Sequence, residues 1–97
     1  EKWYIRAAVQ GDVRAQYNLA RMYYDGQGLP QNYGAALRWF TKAAEYGHAH
    51  AQHSLGLMYY KGQGVPADEN IANKWWKRAS RQGYSVDDKP SSADKPK

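Results

Sequence analysis

Residues 11–46 recur without a gap as residues 47–82. Gly11, Ala15, Gln16, Leu19, Met22, Tyr23, Tyr24, Gly26, Gln27, Gly28, Pro30, Ala36, Trp39 and Ala43 each meet the same residue 36 positions later, 14 identities in 36. A period between about 20 and 50 residues marks stacked supersecondary units, each burying its apolar face only against its neighbours. With 97 residues there is room for one domain of this kind.

The apolar spacing inside the unit is helical. Ala15, Leu19, Met22 and Tyr23 form one stripe, and Ala36, Trp39, Phe40, Ala43 and Ala44 form a second at i, +3, +4, +7 and +8. Asp12 before the first stripe, and Asn32 and Asp68 before the second in each copy, are suited to accept the orphan N–H groups of a first helical turn. Gly11, Gly47 and Gly83 stand where a left-handed residue would close each second helix, and Gly26 could do the same for the first. Ala20, which becomes Gly56, predicts close helix–helix approach. The loop Gly26-Gln27-Gly28-Leu29-Pro30 repeats in place and so predicts a fixed conformation. It is not a phosphate loop, since no strand precedes it and no Lys-Ser/Thr pair follows.

Residues 1–10 match the second half of a unit, with Trp3, Ala7 and Ala8 standing 36 before Trp39, Ala43 and Ala44. The reading is therefore a half repeat at 1–10, repeats at 11–46 and 47–82, and an ordered body over 1–84 with about five helices. After Tyr84 the pattern stops. Residues 85–97 are rich in Ser, Pro, Asp and Lys and are predicted to be a disordered tail.

Composition matters at two points. Leu, Ile, Val and Phe total 12, low for a packed domain, while 9 Tyr and 4 Trp are plentiful. Rings of about 150–250 Å² each, set against Ala and Gly, predict a Tyr/Trp/Ala core. The absence of Cys excludes disulfides and thiolate metal sites. The chain opens on Glu1 rather than Met, so an upstream segment is expected.

Catalysis finds no support. There is no G-x-S-x-G, the one Ser-x-x-Lys (Ser92 to Lys95) falls after the repeat pattern has stopped, and the 9 carboxylates are spread among loops and caps. His48, His50 and His53 lie close together, but zinc needs three or four convergent ligands, so no metal is assigned. No cofactor is assigned either. The net charge of +5 favours an acidic partner. Single-stranded nucleic acid is a secondary alternative, because the basic residues are interleaved with acids.

The run Ala15-Gln16-x-x-Leu19-x-x-Met22-Tyr23-Tyr24-x-Gly26-Gln27-Gly28-x-Pro30, followed by Ala36, Trp39, Ala43, Ala44 and Gly47, resembles the Sel-one-like repeat, a relative of the tetratricopeptide repeat. The resemblance covers residues 1–84. It implies an all-α, right-handed α-solenoid of antiparallel helix pairs whose first helices line a concave side. It also implies an adaptor or scaffold role, and export from a bacterial cell in preference to the cytoplasm.

Arg14, Tyr17, Arg21 and Tyr24 share one face of the first helix, off the shared stripe. Shifted by 36, that face carries His50, His53, Leu57 and Tyr60. By the resemblance these eight residues line the groove, which would take a peptide or protein segment, acidic or C-terminal, with an aromatic or aliphatic anchor. Trp76 replaces Phe40 on the apolar stripe and reads as core; alternatively Trp76 and Trp3, at the two ends of the array, are candidates for self-association.

Overall fold

A computed structural model describes residues 3–82, with the side chains of Trp3 and Tyr4 left aside. The tail expected at 85–97 and the end contact expected at Trp3 lie outside the described residues. Five helices follow in order: α1 (Trp3–Val9), α2 (Val13–Asp25), α3 (Tyr33–Glu45), α4 (Ala49–Lys61) and α5 (Glu69–Arg81). Among the described residues there are no strands, and no helix is long and apolar enough to cross a membrane.

Caps set the helix limits. The Asp12, Asn32 and Asp68 side chains accept from backbone N–H groups of the first turns of α2, α3 and α5. Such a cap contributes about 1 kcal/mol. Gly26 and Gly62 close α2 and α4 in the left-handed region, both at φ 73°. Their N–H groups return to the Met22 and Met58 carbonyls at 2.8 Å. Gly28 and Gly64 share φ 76°, so the two loops have the same bends, as their sequence identity predicts.

Packing runs along the chain: α1 on α2, α2 on α3, α3 on α4 and α4 on α5. The core is the expected mixture of small residues and rings. Ala20, Ala36, Phe40, Ala43, Ala44, Ala51, Leu55 and Met58 form its main body, with Tyr17, Tyr23, Trp39 and Trp75 packed against it. A smaller cluster of Ala8, Ala15 and Leu19 holds α1 to α2, and Trp39 joins the two clusters.

Three shared polar residues stitch the stack. Gln16 Nε2 donates to the Ala8 carbonyl at 3.1 Å, and Gln52 Nε2 donates to the Ala44 carbonyl at 3.0 Å. Each buried carboxamide thereby ties an odd-numbered helix to the helix after it. Gln63, in the second loop, accepts from the Tyr24 hydroxyl at 2.8 Å and lies 3.4 Å from the Tyr33 hydroxyl. It links the second unit to the first.

Candidate functional site

The face shared by α2 and α4 is built around Tyr17. Its ring stacks on His48 with centroids 4.7 Å apart and lies 6.1 Å from His50 and 5.8 Å from Phe40. The Arg21 guanidinium sits over the same ring at 5.9 Å. One turn further on, Arg21, Tyr24, Asp25, Phe40, Ser54 and Leu57 line a depression of about 190 Å³. Arg14, Tyr17, Arg21, Tyr24, His50 and Leu57 therefore contribute to one surface, with a hollow of mixed lining at one end and Arg14 beside the His48–His50 pair at the other.

His53 and Tyr60 are placed differently. Phe40 and its counterpart Trp76 occupy the same place in the two units. The larger indole of Trp76 lies 6.2 Å from the His53 ring and 5.7 Å from the Tyr60 ring. Its Nε1–H donates to the His53 carbonyl at 3.2 Å. His53 is left only 6% exposed. Its side chain belongs to the packing beneath the surface, not to the surface itself.

The expectation that Trp76 forms an exposed end contact is corrected by its burial: it is 3% exposed. Gly56 is the reason. A Cβ at Gly56 would stand 2.7 Å from Trp76 Cδ1, so glycine is what lets the indole descend onto α4. The ring that remains partly open on α5 is Trp75, with Arg78 over it at 4.6 Å. Ile71, Lys74, Trp75, Lys77, Arg78 and Arg81 share one face there, around a depression of about 410 Å³. This compact basic patch was missed in the sequence, where its four cations are separated by apolar and small residues. Helical spacing within 71–81 is the signal that would have found it.

His48 was also missed as a working residue. It caps α4, its Nδ1 accepting from the Ala51 N–H at 3.1 Å. The signal was present, since His48 stands 36 after Asp12. Burial foremost, then the positive fields of His50 and Arg14, holds its pKa below the ordinary 6.5. Only the neutral imidazole can accept the Ala51 N–H. Because the unfolded chain binds this proton more readily, the His48 contribution to stability is complete above about pH 6.5 and is lost as pH falls through the folded-state value. The melting temperature is expected to drop on acidification through that window. His48→Asp, which copies the cap of α2, should shrink the drop when followed by circular dichroism against pH. An equal drop in the variant would remove His48 from the account.

Together these features define a helical-repeat scaffold with a side-chain-rich face and no assembled catalytic group among the described residues. The sequence matches the Sel1 repeat over residues 1–12, 13–48 and 49–84, and the chain belongs to the Sel1 repeat family. No curated protein matches the sequence. Among solved structures, a Sel1 repeat protein from Oxalobacter formigenes is 36% identical, with a TM-score of 0.82, over 84% of this chain and 62% of that one. A protective antigen of uropathogenic Escherichia coli strains, displaying an SLR fold, is 44% identical, also with a TM-score of 0.82, over 84% of this chain and 17% of that one. The chain thus spans less than two thirds of either protein. Sel1 repeat proteins generally serve as protein-interaction scaffolds and are typically non-catalytic.

Proposed function

We propose that the α2/α4 face binds an extended segment of a partner protein, with an apolar anchor in the hollow and an acidic group beside Arg14 and His50. The observation that carries this reading is the run of unlike chemistry along one face. Phe40, Tyr24 and Leu57 border the hollow, while Tyr17, His48, His50 and Arg14 gather at the other end. Arg21 and Asp25 both line the hollow, so their opposite charges offset each other there and leave Arg14 to draw the acidic group to the other end. Arginine supplies the planar donor fork that a carboxylate accepts, and the tyrosines add contact area at little entropic cost. The work done is presentation of a rigid surface, with no bond made or broken.

Peptides selected from a random display library against the whole chain provide the test. Leu57→Asp and Arg14→Glu should each weaken the selected binders by about tenfold or more, since each removes the group that meets one of the segment's two anchors. Raising the salt should weaken binding to the unaltered chain and affect the Arg14→Glu variant less. Binders that keep their affinity for both variants would show that the face is not the site.

A further inference from the structure

We propose that a second site, sharing no residue with the α2/α4 face, takes a peptide segment that presents a glutamine or asparagine side chain next to apolar residues. It lies where the end of α1 meets the outer side of α3. Val9, Gln16, Trp39, Lys42, Glu45 and Tyr46 are among the residues lining a cavity of about 510 Å³ there.

Three separate observations meet at this cavity. The described chain has two large hydrophobic side chains that are strongly exposed, Val9 at 68% and Tyr46 at 69%, and both line it. Gln16, which also lines it, is 3% exposed, and its Oε1 has no hydrogen-bond partner among the described residues. A buried acceptor left unsatisfied is costly, and such groups are few in folded proteins. The second unit then shows what satisfies the same atom. Gln52, the counterpart of Gln16, makes the same bond through Nε2, and its Oε1 accepts from Gln82 Nε2 at 3.0 Å. Gln82 is the C-cap residue of α5, and Tyr46 is the C-cap residue of α3. Where the second unit carries its own carboxamide donor, the first carries a tyrosine turned outward.

The missing partner is therefore an N–H donor that reaches Gln16 Oε1 from the position Gln82 takes in the other unit. A carboxamide is the group that does so there. It enters past the exposed ring of Tyr46. Apolar neighbours of that carboxamide find Val9, Trp39 and Tyr46 to cover, and Lys42 and Glu45 provide polar contacts of both signs at the rim. A carboxylate cannot serve, because it has no proton to give to Oε1 at neutral pH.

The test is an NMR titration of the whole ¹⁵N-labelled chain with three capped tripeptides, Leu-Gln-Leu, Leu-Glu-Leu and Leu-Met-Leu. Leu-Gln-Leu should shift the Gln16 side-chain amide and the Trp39 indole N–H, and should bind about fivefold more tightly than the other two. Tyr46→Gln, which gives the first unit the donor of the second, should raise the melting temperature and abolish the Leu-Gln-Leu shifts. Gln16→Met, which removes the acceptor, should abolish the preference for Leu-Gln-Leu. Equal shifts from all three peptides, no shifts from any, or undiminished binding by Tyr46→Gln would each overturn the proposal.

Discussion

Replacing Gly64 with alanine is expected to destabilise the stack by about 2–5 kcal/mol, the sum of a backbone term and a collision. Gly64 has φ 76°, where an L side chain is strained by about 1–2 kcal/mol. Its Cβ would also stand 2.9 Å from the Tyr33 carbonyl oxygen, which is backbone and cannot swing away. Gly28 is the internal control. It shares φ 76°, but its Cβ would meet only the tip of Met22, at 3.2 Å. Gly28→Ala should therefore cost only the backbone term. Urea midpoints with unchanged slopes would measure both. Equal losses at the two positions would mean that the loop of the second unit does not press on the first.

The second large effect concerns Gly56 and Trp76. Gly56→Ala should cost about 1–3 kcal/mol by overpacking, which lowers the melting temperature of a domain this size by roughly 4–24 °C. The first unit shows the remedy. There alanine stands at position 20 and the smaller phenylalanine at position 40, and both are fully packed. Trp76→Phe alone should also destabilise, since it gives up indole contacts and the bond to the His53 carbonyl. The two changes together should lose no more than Trp76→Phe does by itself. That non-additivity is the sign of direct contact. If Gly56→Ala costs the same with phenylalanine at 76, the pairing of small and large residues is not what sets the helix separation.

The repeat made the fold readable because its period is a property of the chain alone. Helix limits followed from Asp12, Asn32 and Asp68, whose capping chemistry is local. The close approach at Ala20 and Gly56 was also legible, though not the ring that fills it. What escaped was whatever depends on contact between units. Gln16 and Gln52 read as two more identities, yet they are buried polar stitches. His53 lies on the same helical face as Tyr17 by spacing, but the choice of tryptophan over phenylalanine at 76 buries it. The basic face of α5 emerges only when residues are placed by angle instead of by order. The cavity by Tyr46 was invisible, because it arises from a donor that one copy has and the other lacks.

Each helix of the stack packs chiefly against the helices before and after it in the chain. Separation along the chain and separation in space are thus nearly the same quantity. Few distant loops have to close before a contact forms, the condition under which chains fold fastest. The molecule can also fray from an end inward while its middle holds. The Tyr17–His48 stack lies between α2 and the start of α4, in the interior of the row, so opening of α1 or α5 can leave it intact. A partner held there would be released last, after the ends had already come away.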